Sequence, residues 1–269
     1  MTIVALVGDA TTTTAVALAV GWPAANDTDE VIVVEADRAG GSLAAWLDTP
    51  TQPTLGSLVA SVGSSGDPSE VLSNVDAMAH HSSAGVRFVA NAVQARAAHR
   101  AVEEAAGVVL PALAASATAM IADTGRHRGG DALSPAARSA DVVVVVHRQA
   151  PASAGAASVR IERLVETVED AARLDAVIVL AVIGAAPFEP SEVAAFVASA
   201  VPDTISAGVT LADDTLAALT IAGRTGVSAR RLRRLPLMRD AVDAAAVIDG
   251  LLRHVPSHVD GPAGNTTFS

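Results

Sequence analysis

The chain has 269 residues, 51% of them hydrophobic but only 2% aromatic, with no cysteine and no tyrosine. All 18 basic residues are arginine and the formal net charge is −11. Disulfides, thiolate metal sites, a cysteine nucleophile and any chemistry that needs a lysine ammonium are thereby excluded.

Short β-branched runs alternate along the chain with alanine-rich stretches. Strands are predicted at Thr2–Val7, Val31–Glu35, Val86–Ala90, Ala117–Ala122, Asp141–Val146, Ala176–Ile183 and Thr204–Val209. Helices are predicted at Thr12–Val20, Gly41–Leu47, Pro68–Ala79, Ala92–Ala115, Pro151–Ala172 and Pro190–Ala198, with a last one over Asp240–Leu252. The segments Thr49–Leu58 and Ser64–Ser69 read as loops. Continuous runs such as "VVVVV" suit central strands covered on both faces. The fold class expected is therefore α/β: a doubly wound, mostly parallel β-sheet flanked by helices, forming one domain over residues 1–255. Residues 256–269 are expected to form a disordered tail. Before Arg38 there is no positive charge, so a signal peptide is not expected. The longest apolar run, Ala176–Ala186, is too short for a membrane span, which takes about 18 residues. A cytoplasmic protein is the expectation.

In such a sheet the strand C-terminal ends share one rim, where ligands sit. Three stretches end there: "VALVGDATTTTAVALAV" from Val4, "VIVVEADRAGGSLAAWL" from Val31, and "TAMIADTGRHRGGDAL" from Thr118. The first has the strand–turn–helix form of a phosphate-binding loop. In the second, Glu35 and Asp37 follow a buried strand; in the third, Asp123 ends one. An acid at that position is a usual magnesium partner in phosphoryl transfer.

These motifs resemble the ParA/MinD family, the deviant-Walker P-loop ATPases that partition chromosomes and position division, pili and flagellar machinery. "SADVVVVVHRQAPASAGAA" (Ser139–Ala157) is similar to the family's next strand and helix. "AGRTGVSARRLRRLPLMRDA" (Ala222–Ala241) resembles the C-terminal part of an actinobacterial-looking subgroup in which the loop lysine is already replaced. The resemblance spans residues 1–253 and implies a P-loop NTPase fold. Aligned on the family's Gly-Lys-Ser/Thr-Thr, Thr11 replaces the glycine, Thr12 replaces the lysine, and Thr13 takes the magnesium-binding hydroxyl, followed by Thr14. Asp37 matches the switch carboxylate that positions water, and would be the catalytic residue of an active enzyme. Asp123 matches the Walker B acid. Magnesium, if bound with nucleotide, would be held by Thr13, Asp37 and Asp123.

The losses all oppose tight ATP binding. Without lysine only backbone N–H groups and a helix N-terminus remain, equivalent to about half a charge. β-Branched threonines resist the φ > 0 conformations that glycines supply, and Asp9 sets a negative charge within the turn Gly8-Asp9-Ala10. The implied function is a pseudo-ATPase with a degenerate Walker A loop and no cofactor. It would act as a non-catalytic localisation, partitioning or regulatory module that binds a protein partner, either itself as a homodimer or an active relative. The alternative is a weak Mg-ATPase in which Arg126 or Arg128 replaces the lysine. Against this, Arg126, His127 and Arg128 read as a solvated or partner-facing loop.

Residues 224–239 hold six arginines and no carboxylate. Arg230, Arg231, Arg233 and Arg234 read first as a solvated surface, and their isolation on an otherwise acidic body makes them the candidate interaction patch, with nucleoid DNA as the less favoured occupant. His80–His81 reads as part of a polar loop rather than a metal site. Pro256 between His254 and His258 disfavours a shared helical face. Ser57 and "GSSG" lack the strand-to-helix turn of a nucleophile elbow.

Overall fold

The computed structural model describes residues 2–26, 30–62, 67–150 and 153–253. The expected tail, His254, His258, the "GSSG" stretch and Pro151 lie outside them. The chain begins with β1 (Thr2–Gly8), α1 (Thr11–Asn26), β2 (Val31–Glu35), α2 (Leu43–Trp46), α3 (Leu55–Val62) and α4 (Pro68–Met78). Next come β3 (His80–His81), β4 (Arg87–Val89), α5 (Ala95–Ala105), α6 (Val109–Ala115), β5 (Ala119–Asp123) and α7 (Pro135–Arg138). The C-terminal half contains β6 (Val142–Arg148), α8 (Ala154–Ala171), β7 (Val177–Ile183), α9 (Pro190–Ala200), β8 (Ile205–Leu211), α10 (Thr215–Ile221), α11 (Ala229–Leu232) and α12 (Pro236–Leu252).

All eight strands form one sheet in the order β3-β4-β2-β5-β1-β6-β7-β8. Every pairing is parallel except that of β3 with β4. This is the doubly wound α/β sheet that the sequence predicts. β2 and β5 are buried along their whole length, as their unbroken apolar runs require. β8, at the edge, instead alternates between half-buried and exposed positions.

The pleat divides β1 between two cores. Ile3, Ala5 and Val7 face the side covered by α3 to α9, whereas Val4 and Leu6 face α1, α2, α10 and α12. With so few aromatics, Trp22 and Phe88 are the largest side chains fully buried. Elsewhere the packing is by alanine and valine, which lets backbones approach closely. At Gly21 an added Cβ would lie 3.0 Å from the Val242 nitrogen, so α1 is seated directly against α12.

Three local expectations are corrected. The predicted helix Ala92–Ala115 is two helices, divided near Gly107, because a proline inside a continuous helix would clash with the preceding turn. Placed in the first turn of α6, Pro111 loses no hydrogen bond. Residues 55–58, read as loop, begin α3: Leu55, Leu58 and Val62 are buried on one face, and the Thr54 hydroxyl accepts the Ser57 N–H at 3.3 Å. His80 and His81 form a short strand rather than a loop. His80 is buried, 2.7 Å from the Pro53 carbonyl through Nε2 and stacked on Phe88 with ring centres 5.2 Å apart. Among the described residues no helix is long and apolar enough to cross a membrane.

Candidate functional site

The central position of β1 decides where the opening loop lies. Its neighbours are β5 and β6, so Gly8 emerges between the C-terminal ends of both. Only Asp9 and Ala10 separate β1 from α1. The Gly8 N–H donates to the Gly125 carbonyl at 3.1 Å, and the Asp9 N–H donates to the Val146 carbonyl at 2.9 Å. Ala10 adopts a left-handed φ of 55°, and its carbonyl accepts both the N–H and the hydroxyl of Thr14. The turn is thus stitched to both neighbouring strands by its own amides.

The threonines divide their tasks. The Thr12 hydroxyl donates to Asp123 Oδ2 at 2.6 Å, and the Thr11 hydroxyl also bonds Asp123. The Gly125 N–H donates to Asp123 Oδ1 at 3.1 Å. Thr13, by contrast, lines an open cavity together with Gly8, Asp9 and Ala10.

Three carboxylates follow the strand ends. Glu35 is buried and accepts three backbone N–H groups, from Ser42 at 2.5 Å, Leu43 at 2.7 Å and Asn91 at 2.8 Å. Burial pushes its pKa up against the opposing pull of those bonds. Glu35 is an anchor for the loop that follows β2. Asp37 is half-buried, accepts the Ala39 N–H at 2.7 Å, and packs on Gly125, where an added Cβ would meet its carboxylate. Its pKa is raised by burial and by the nearby Asp123 charge. Asp123 itself is 1% exposed, and burial raises its pKa despite the hydroxyl bonds.

A carboxyl group raised in this way contributes stability below its unfolded pKa and loses it as pH rises through the raised folded value. For Asp123 the loss starts above the ordinary value of 3.8. Asp123→Asn is therefore expected to raise the thermal midpoint in EDTA at pH 8. The difference should close as pH approaches about 4, read by calorimetric scans across that range.

The segment after β5 departs from expectation. His127 is not solvated: its ring is buried, with Nε2 2.8 Å from Asp170 Oδ2. Gly130 N–H reaches the same oxygen at 3.1 Å, and Arg173 pairs with the other one. Burial pushes the Asp170 carboxyl up, but the bonds from His127 and Gly130 outweigh it and hold the pKa low. His127 thus pins this loop to α8. The two flanking arginines are exposed, as the sequence suggests. Arg126 Nε lies 3.6 Å from Asp9 Oδ1, which brings an arginine to the loop and at the same time neutralises it.

Between the opening loop, residues 126–129, the end of β6 and α8 lies a cavity of about 1130 Å³. Arg128 lines it together with His147, Arg160 and Arg163, three residues not expected from sequence. The i,i+3 spacing of Arg160 and Arg163 is the signal that could have found them, since it places both on one face of α8. Elsewhere Arg230, Arg231, Arg233 and Arg234 are all exposed, held in place by the buried Leu232.

No family model matches the chain, and no curated protein matches it either. Solved structures do. A ParA family ATPase from Chlorobium tepidum superposes with a TM-score of 0.66 at 16% identity, over 91% of this chain and 99% of that one. The chain has the ParA/MinD fold. The septum site-determining protein MinD from Pyrococcus horikoshii, complexed with Mg-ADP, gives 0.61 at 14% identity, over 94% and 98% of the two chains. MinD in the MinC:MinD cell division complex of Aquifex aeolicus gives 0.54 at 13%, over 92% and 96%. Identities this low carry the ParA/MinD fold across but no residue of the site.

Proposed function

We propose that this chain is a pseudo-ATPase of the ParA/MinD type, a localisation or regulatory module that works by binding another protein rather than by hydrolysing ATP. The observation that carries the reading is the opening loop. It is two residues long, the Gly8 and Asp9 N–H groups that lead into it are spent on the Gly125 and Val146 carbonyls, and Asp9 and Asp123 place two carboxylates beside it.

The Thr12–Asp123 contact supports a correspondence shifted by one residue from that expected. Thr12 then stands for the magnesium-binding hydroxyl, Thr11 for the lysine and Ala10, with its left-handed φ, for the glycine. In this register as in the other, a hydroxyl replaces the ammonium that would meet the β and γ phosphates. The residues present do not fit Mg-ATP. A magnesium ion could find Thr12 and Asp123, but the triphosphate would meet Asp9 instead of a cation.

A partner of the same fold, a second copy of this chain or an active ATPase, suits the preserved architecture, and the MinC:MinD complex supports partnership with an unrelated protein. The place of action is the cytoplasm.

Titrating labelled ATP with magnesium is expected to give neither micromolar binding nor turnover. Micromolar binding with turnover that Asp37→Ala abolishes would sink the pseudo-ATPase reading. The competing reading, a weak Mg-ATPase, draws on Arg126, which stands over the loop. It predicts that Arg126→Gln removes the same turnover.

A further inference from the structure

The sheet ends in two unlike edges. β3 is two residues long and offers little backbone to pair. β8, at the other end, runs for seven residues, bonds only to β7, and contains no proline and no charged side chain. Its register on β7 is irregular opposite Ile178 and Val179 and regular from Ala207 to Leu211. The Leu211 carbonyl accepts the Gly184 N–H and so points toward β7. Backbone groups alternate in direction along a strand, so those of Gly208 and Thr210 point away from the sheet. Both residues are exposed, as is Ser206, and among the described residues none bonds the outward groups.

β8 is also self-complementary. About its midpoint, Gly208, the strand ISAGVTL matches Ala207 with Val209, Ser206 with Thr210 and Ile205 with Leu211. Each match is of one chemical kind, so the strand laid antiparallel on a second copy of itself sets like opposite like. Ala207 and Val209 then meet on the face toward α12, and the hydroxyls of Ser206 and Thr210 meet on the other. Gly208 falls on the two-fold axis. The fold of one chain does not require a glycine there: its φ is outside the left-handed region, and an added Cβ would have nothing within 4 Å. Glycine weakens a strand interior, and in such a place it often marks the close approach of another backbone.

We propose that two copies of this chain join antiparallel through β8, on a two-fold axis at Gly208, into one continuous sheet of two eight-stranded halves. Gly208 of each copy exchanges both backbone bonds with Gly208 of the other, and Thr210 of each pairs with Ser206 of the other, about four to six bonds in all. Such an interface is closed, because each copy presents the same strand, and growth stops at the dimer. It brings Asp203 of one copy opposite Asp213 of the other, a repulsion tempered by Arg148, which pairs with Asp213 at 2.8 Å. β6 and β7 separate this edge from β1 and the opening loop, so the inference does not rest on the pseudo-ATPase reading.

The test is sedimentation equilibrium of the full chain over a range of concentrations, in EDTA and without nucleotide. A monomer–dimer equilibrium is expected. Gly208→Lys and Gly208→Glu each set like charges face to face on the axis, and each should weaken the dimer about tenfold or more. An equimolar mixture of the two variants sets opposite charges there and should restore dimers, which two misfolded chains could not do. Thr210→Pro removes an outward N–H that the single chain does not use, and should weaken the dimer without adding charge. Circular dichroism checks that each variant folds. A chain that stays monomeric overturns the proposal, as does growth into open-ended polymers. A dimer indifferent to both charges would place the contact on another face and also overturn it, as would a mixture that fails to pair. The ATP titration is decided separately from all of these outcomes.

Discussion

Glu35→Ala is expected to cost about 3–9 kcal/mol of folding stability, because each of three backbone N–H groups left without an acceptor costs about 1–3 kcal/mol. Total stability for a domain of this size is about 5–15 kcal/mol, so the variant would unfold at low urea or fail to accumulate. The three donors come from two separate segments, Ser42 and Leu43 at the start of α2 and Asn91 beyond β4. One carboxylate therefore fastens both loops to the end of β2. Glu35→Gln is the informative control. Its amide keeps one acceptor but turns an NH₂ toward the remaining donor, so the loss should be about 1–3 kcal/mol. Urea unfolding of the two variants measures the difference, and equal midpoints for wild type and Glu35→Ala would show that the bonds contribute nothing net.

The second large effect is expected at Gly8. Its φ of 119° lies where side chains are strained, and an added Cβ would sit 2.3 Å from the Val146 carbonyl oxygen. Gly8→Ala must move the end of β1 away from β6 or break the Asp9–Val146 bond. Strained backbone of this kind costs about 1–3 kcal/mol before the clash is counted, so a loss of about 3 kcal/mol or more is expected. Hydrogen exchange localises it: the Asp9 and Gly8 amides should lose protection first, ahead of the sheet centre. Uniform protection in both proteins would mean that the loop absorbs the methyl without opening.

How far the sequence could be read follows from what holds each part together. The sheet was legible because its strands are continuous apolar runs, and burial on both faces allows nothing else. The anchoring role of Glu35 becomes visible only in space. Gly41 must be a glycine because a Cβ there would lie 2.5 Å from Glu35 Oε2 and from the Asn91 carbonyl. His127 misled because its neighbours are charged; its partner Asp170 is 43 residues away, beyond any local pattern. α3 was hidden by the prolines and threonines before it, although its i,i+3,i+7 apolar spacing was available. The recess on α8 was hidden differently. Arg160 and Arg163 look like ordinary solvent-facing positions until the loop after β5 is known to lie opposite them.

The two amide bonds that stitch the opening turn to Gly125 and Val146 bear on how such a protein could be controlled. Two of the turn's amides are already satisfied by neighbouring carbonyls, and a ligand shifts an equilibrium only between states it binds differently. In the pseudo-ATPase proposed above, occupancy of a partner follows mass action on the amounts of the two proteins, so the lever left to the cell is how much of this chain it makes, and how fast it removes it.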